Sequence, residues 1–485
     1  MMLEKRELAR TAVVVLCLTL LMLLHSPMLA PHGFTGTDSS VFEYVGMVIQ
    51  QGGMPYVDAF DHKGPLLYVM NWAGLELGGW RGPIVFEAAS LAMALWFMLR
   101  TARLCTNWWL SAFIVTVCSL RGADRLLEEG NLTEEYALPW IALAVYLFFR
   151  FFQQGVLRVR DTFWLGFGFA MVLMLRPNMI AAWAVGYPVL FYLLWKQEHV
   201  WRPFLGSLAG LLVGVAPFLL WLAANGALQS CWDAYIGFNL QYTAHKAGAH
   251  VAKERLHAFS KFFFSRGTAW VLVPCCFAMF RQRALRNRTV WLSLVLMLVS
   301  LLSLSMSGMT YAHYGMVLLP TFVYPSAIFL SYVKEQWRPQ WFRYAAICMV
   351  LVTISVLGVS CRYIKGNLRM EQPEMQRLVQ YVQEHSAPTD CISVWGNKNV
   401  IYVRSGRRSS SVYSYQWPLI TVHPQIEQRY FADLEAAPPQ LVLLTVPAGA
   451  RMEAFLSAHA YEKVNAMPLK DGTVDVYQRP EQAAP

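Results

Sequence analysis

Apolar runs of roughly 15 to 22 residues recur along this chain, separated by short loops rich in Arg, Trp and Pro, and that is the length a helix needs to cross a bilayer. Charged residues make up only 14% of the 485, against about 25% in ordinary soluble proteins, which excludes both a string of soluble domains and a disordered chain. The sequence reads as a polytopic α-helical membrane protein with about eleven transmembrane helices. They fall near 11–31, 83–101, 107–121, 136–150, 162–177, 179–195, 204–224, 267–280, 290–307, 314–333 and 344–361.

The net charge of +10 sits mostly in alternate loops. The clusters are Lys5, Arg6 and Arg10; Arg100 and Arg103; Arg150, Arg158 and Arg160; Lys196 and Arg202; Arg281, Arg283, Arg286 and Arg288; and Lys334, Arg338 and Arg343. By the positive-inside rule these segments and the N-terminus face the cytoplasm. The basic excess is therefore topology, and no nucleic-acid partner is expected. Nine cysteines without CxxC spacing fall mostly inside apolar runs, where a buried, unpaired thiol is expected. The first run, Thr11 to Pro31, is too long for the core of a signal peptide and reads as an uncleaved anchor.

An odd number of spans puts the C-terminus outside, so the substantial outer stretches are 32–82, 225–266 and everything beyond 362. The domain organisation expected is a transmembrane catalytic domain, 1–361, including the outer loop 32–82, followed by a soluble extracytoplasmic α/β domain, 362–485. In that tail Pro373 opens a helix with Met375, Leu378, Val379 and Val382 on one face, and "CISVWG" and "LVLLTV" read as strands. Helices near 424–436 and 449–459 and a strand pair turning at Asp471 and Gly472 complete the alternation.

The first outer loop carries Asp38, Glu43, Asp58, Asp61, His62 and Lys63 beside the membrane surface. From Ser39 to Gln51, Val41, Val45, Val48 and Ile49 recur at helical spacing, which predicts an amphipathic helix lying on the bilayer with Asp38 at its N-cap. The stretch "PYVDAFDHKGPL" then packs acids, an imidazole and an ammonium so densely that the groups must pair with one another or with a charged ligand. Glu134 and Glu135 stand at the start of the fourth span, where solvation is the plain expectation. Arg176, at the outer end of the fifth span, can reach lipid headgroups or a carrier phosphate. His313, flanked by Tyr311 and Tyr314, sits at the outer end of a later span. His245, Lys246, His250, Lys253, Arg255 and His257 crowd another outer loop, but the spacing of His245 and His250 is poor for one helical face, so headgroup or acceptor contacts are the most expected of them.

The order of Asp38 closely after the first span, a surface helix, "FDHKGPL" and then "GNLTEEYALP" resembles the GT-C glycosyltransferases. These integral membrane enzymes use polyprenyl-phosphate-linked sugars. "FDHKGPL" is similar to a stretch of the protein O-mannosyltransferases and of the aminoarabinose transferases that decorate lipid A, with Lys63 where those motifs place a basic residue and Gly64 in place of the first Pro. The resemblance implies that Asp38 is the catalytic base. Ser39 stands where the second acid of the family pair belongs, so Glu43, Asp58 and Glu135 are candidates for a second carboxylate. It further implies Lys63 as a donor-phosphate ligand; Arg176 is a second one by its place at the outer end of the fifth span, with plain snorkelling as the other reading, and Asp61, His62, His313 and Tyr311 are further site candidates. A divalent cation, where one is used, would fall to Asp38 and Glu135.

The function so implied is inverting transfer of a sugar from a polyprenyl-phosphate donor to an envelope glycan, lipid or protein. The chemistry would take place on the outer face of the bacterial cytoplasmic membrane, with the C-terminal domain in the periplasm. The rival reading is a flippase or transporter of a lipid-linked saccharide, which calls for ionisable residues near the bilayer middle. A third makes the spans a mere anchor for the tail, and leaves the charged first loop unexplained. The tail carries no phosphate-loop signature.

Overall fold

The computed structural model describes residues 2–30, 33, 36–245, 249–265, 268–269, 271–273, 276, 287–336, 339–370 and 372–480. The helices of its first half are α1 (Met2–Leu23), α2 (Thr37–Gln50), α3 (Pro65–Gly78), α4 (Ile84–Arg103), α5 (Trp108–Leu126), α6 (Thr133–Gln154), α7 (Val159–Leu173), α8 (Ala181–Lys196) and α9 (Trp201–Ala224). Later long helices run Arg288–Ser305, Leu319–Gln336 and Pro339–Leu368. Ten of the eleven expected spans overlap one of these helices, and the remaining one, 267–280, lies for the most part outside the described residues. Among the described residues six helical stretches are long and apolar enough to cross a membrane: Ile84–Arg103, Thr133–Gln154, Trp201–Ala224, Arg288–Ser305, His313–Glu335 and Arg343–Leu368. The chain is a membrane protein.

The chain divides into two compact units. The first comprises Met1–Ser26, Val85–Leu219 and Lys246–Asn367. Its centre is α6, apolar around its whole circumference and 83% buried over its most apolar window, whereas the apolar surface of Arg343–Leu368 is only 17% buried and is left for lipid. A polar cluster not foreseen in the sequence ties three helices together. Asp124 near the end of α5 accepts from His25 at 3.0 Å, from Ser360 at 2.8 Å and from Arg121 at 3.2 Å, so the buried carboxylate is fully engaged.

The second unit comprises Pro27–Ile84, Leu220–His245 and Leu368–Pro485. The outer loop assigned from the sequence to the transmembrane domain thus groups by its contacts with the tail. Here α2 differs from expectation. Every residue from Ser39 to Val48 is buried, so it is a core helix and not one laid on a surface by one apolar face. Small residues make this possible: a side chain at Gly46 would meet the backbone nitrogen of Trp72 at 2.8 Å, so only glycine lets α3 approach α2 this closely.

The tail forms the expected α/β layer. Strands β1 (Cys391–Trp395), β2 (Arg408–Ser409), β3 (Leu441–Leu444), β4 (Glu462–Leu469) and β5 (Gly472–Gln478) lie in the order β2-β1-β3-β5-β4. The β1, β2 and β3 pairings are parallel, and β5 runs antiparallel to β3 and β4. The helix Pro373–Glu384 buries Met375, Leu378, Val379 and Val382, the four residues read from its periodicity. Helices Pro424–Ala436 and Gly449–Ala458 cover a core of Trp395, Tyr430, Phe431 and Phe455.

Candidate functional site

The charged motif of the first outer loop is built in the second unit. Past α2 the chain turns through Gly52 and reaches Tyr56, both at positive φ. It then passes Asp61 and bends at His62 and Lys63 before Pro65 starts α3. Tyr56 donates to the Lys63 carbonyl at 2.9 Å. The Lys63 N–H donates to the Tyr68 hydroxyl at 3.0 Å, which fixes the bend. Asn239 donates to the His62 carbonyl at 2.8 Å. The Phe60 N–H donates to Val412 O at 2.8 Å, so the tail closes over the motif.

The side chains form a relay. Asp61 is buried and accepts from Tyr68 and Tyr415, each at 2.9 Å, with His62 Nδ1 at 3.3 Å. Lys63 Nζ lies 2.8 Å from His62 Nε2. An ammonium only donates, so Nε2 accepts and the proton is on Nδ1, 3.3 Å from Asp61. Burial pushes the Asp61 carboxyl up, but the His62 hydrogen bonds and the Lys63 charge outweigh it and hold the group well below the usual carboxylate range. Asp61 is thus a fixed anion that orients His62, and through it Lys63, whose head sits 6.0 Å from the Phe42 ring of α2.

One turn earlier on α2 is Asp38. The N-cap is Gly36 and not Asp38, because Asp38 is the second residue of the helix, exposed in its first turn. Burial first, then Asp61 and finally the Asp38 charge push the Tyr415 phenol well above its ordinary range, which keeps it a protonated donor and ties Asp38 electrically to the relay. Asp38, Asp61, His62 and Lys63 therefore belong to one neighbourhood. Glu43 and Asp58 have other surroundings. Glu43 is fully buried and acts on Arg404, which burial lowers to about 10 against that charge and which stacks 3.6 Å over Trp80. Asp58 is exposed and accepts from the Met54 N–H at 2.6 Å, closing the turn at Tyr56.

The other candidates lie in the first unit. Glu134 and Glu135, expected to be solvated, are both buried in the first turn of α6. Arg176 bonds Glu134 at 2.6 Å and stacks 4.2 Å over Tyr314, so its charge is already matched. Glu135 accepts from the Asn131 N–H at 3.2 Å and lies beside the buried Glu87 of α4. Gly130 at φ 76 makes room for this group, since a side chain there would lie 2.2 Å from Ser26 Oγ and 3.3 Å from Glu87 Oε2. His313 is buried, meets Glu128 at 2.6 Å and stacks on Tyr311, whose ring is half exposed. The His313 hydrogen bond holds the Glu128 carboxyl below its usual range.

Of the outer loop 225–266, Lys246 lies outside the described residues, as do the side chains of His245 and His250, whereas Arg255 donates to Met306 O at 3.0 Å. Among the described residues no group of three or more His, Cys, Asp or Glu side chains is placed to hold a metal ion.

The fold is similar over nearly the whole chain to those of ArnT and AglB. ArnT from Cupriavidus metallidurans bound to undecaprenyl phosphate is 13% identical, with 98% of each chain covered and a TM-score of 0.63. Its apo form is 14% identical, with 98% of this chain and 100% of that one covered and a TM-score of 0.65. Archaeoglobus fulgidus AglB, an archaeal oligosaccharyltransferase in complex with an inhibitory peptide and a dolichol-phosphate, is 10% identical over 98% of this chain and 75% of its own, with a TM-score of 0.53. By sequence, the chain belongs to the family of the competence-induced protein Ccs4 N-terminal domain, which matches residues 3–343. No curated protein matches it.

An acid-stability prediction follows from the relay. Asp61 is lowered in the fold, so its contribution is complete above its unfolded value of about 4 and is lost as pH falls below it. Thermal unfolding of the solubilised protein is expected to show a lower midpoint at about pH 3 than at about pH 6, and Asp61→Asn is expected to flatten that slope. An unchanged slope in the variant assigns the acid lability elsewhere.

Proposed function

We propose that this protein is a glycosyltransferase that moves one sugar, with inversion, from a polyprenyl-phosphate-linked donor to an envelope glycan, lipid or protein acceptor. The reaction takes place at the outer face of the bacterial cytoplasmic membrane, with the N-terminus inside and the tail outside. The observation that carries this reading is the likeness of fold over 98% of both chains to ArnT, whose structure holds undecaprenyl phosphate.

In this proposal the Asp38 carboxylate takes the proton of the acceptor hydroxyl as its oxygen attacks the anomeric carbon. The bond from that carbon to the phosphate oxygen breaks on the opposite face, and its electron pair leaves with the phosphate. Lys63 stabilises the charge that grows there. Asp61 and His62 are positioning residues that aim Lys63. Arg176, matched by Glu134, and His313, paired with Glu128, anchor the buried start of α6 in their own unit, and no step is assigned to them, to Glu135 or to Tyr311. A divalent cation carries no step.

The test is transfer of radiolabelled sugar from synthetic polyprenyl-phosphate sugars by the purified protein in lipid, with and without chelator. Transfer to an envelope fraction is expected. Tight carrier binding with no transfer, and labelled carrier appearing on the opposite leaflet, would return the flippase reading.

A further inference from the structure

The second unit contains a cavity of about 260 Å³ that no residue of the proposed reaction lines. Its walls come from the first turn of α2, the loop after β1, the start of helix Pro373–Glu384 and the tip of the β4–β5 hairpin. Thr37 and Ser40, one helical turn apart, line it on the α2 side, so it flanks the turn that carries Asp38. Lys398 and Asp471 bond each other at 2.6 Å and pin the hairpin tip to the loop.

The lining says what the cavity suits. Its charges cancel, with Lys398 and Lys470 against Glu374 and Asp471, so it selects neither anions nor cations. No lining side chain is aromatic and only three are apolar, which disfavours a lipid tail or an aromatic peptide anchor. Beside the apolar Met375, Val400 and Leu469 stand two hydroxyls, the Gln372 and Asn397 amides and charged groups, so the polar part of the lining both donates and accepts. That mixture matches hydroxyl groups, which do the same, and the volume is below the about 300 Å³ at which drug-sized ligand sites begin.

We infer that this cavity is a subsite for an uncharged saccharide, which holds the sugar unit of the acceptor next to the one that is modified. The inference rests on the transferase reading and narrows its acceptor from glycan, lipid or protein to a glycan. Ligand hydroxyls replace water on Thr37, Ser40 and Asn397, and the Lys398–Asp471 bridge keeps the wall closed.

The test uses the full-length protein in lipid nanodiscs, with tritiated cellobiose and chitobiose as saccharide probes and labelled undecaprenyl phosphate as carrier probe. Thr37→Trp and Lys470→Trp fill the cavity from opposite walls at exposed positions, while Thr37→Ser and Lys470→Ala keep it open and guard against a folding artefact. Saturable binding of a disaccharide at millimolar concentration is expected, weakened at least about tenfold by either Trp and kept by Ser and Ala, with carrier binding unchanged throughout. Carrier binding without disaccharide binding overturns the subsite and leaves the transferase reading standing. Disaccharide binding that both Trp variants retain also overturns it, because the sugar then sits elsewhere. Disaccharide binding lost in the Trp variants, in a protein that never binds carrier, upholds the subsite and removes the transferase reading.

Discussion

Asp38→Asn is expected to lower sugar transfer by about 10²–10⁴-fold, the range a general base supplies, with little change in the unfolding midpoint. Both halves of that expectation come from its position. Asp38 is exposed in the first turn of α2, within reach of solvent, and no core depends on it. The amide keeps the shape of the carboxylate and cannot take a proton. Its cost to the fold includes the lost interaction of a negative charge with the helix N-terminus, about 0.3–1 kcal/mol. Because the N-cap is Gly36, which has no side chain to bond the first-turn N–H groups, the variant does not remove a cap. Rates measured at saturating donor, beside thermal unfolding of the same preparations, give the two quantities. Full transfer by a normally folded Asn variant would show that the base is another residue.

How much of this was legible in the sequence depended on distance along the chain. The tail could be read almost element by element, since its helices and strands announce themselves by local periodicity and by the Asp471–Gly472 turn. The two-residue β2 and the short helices Val400–Ser405 and Leu419–Val422 are too brief to leave a pattern. The relay was half visible. Asp61, His62 and Lys63 are adjacent and were expected to satisfy one another, but Tyr415 reaches Asp61 from 354 positions away and carries no local signal. Tyr56 lies inside the same motif and Tyr68 two residues beyond it, and their placement on either side of Asp61 was a signal that could have been used. The acids of α6 failed for the same reason. Glu134 looks solvated until Arg176, 42 residues on, is folded against it. The burial of α2 was misread because its apolar residues do follow one face. Ser39, Ser40 and Gly46 on the remaining surface are small enough for neighbours to close over them, and a hydrophobicity pattern scores them as polar or neutral.

Lys63→Ala is expected to lower kcat/KM for the polyprenyl-phosphate donor by about 10²–10³-fold, the loss typical of removing one group that stabilises growing negative charge. The relay makes the prediction sharper than a missing cation alone. In the wild type His62 Nε2 accepts from Lys63 while Nδ1 faces Asp61, so the ammonium is held at one point beside Phe42 and does not sweep a volume. Lys63→Arg restores the charge, but its planar fork cannot occupy the same point 2.8 Å from Nε2, so partial recovery is expected, with kcat recovering less than donor affinity. His62→Ala keeps the ammonium and removes its guide. Its defect should fall on kcat with KM for the donor little changed, since a free lysine still finds a ground-state phosphate and is no longer aimed at the leaving oxygen. Donor binding by labelled undecaprenyl phosphate separates these effects from misfolding. If Lys63→Ala transfers at the wild-type rate, the leaving phosphate is met by another cation and the relay is structural.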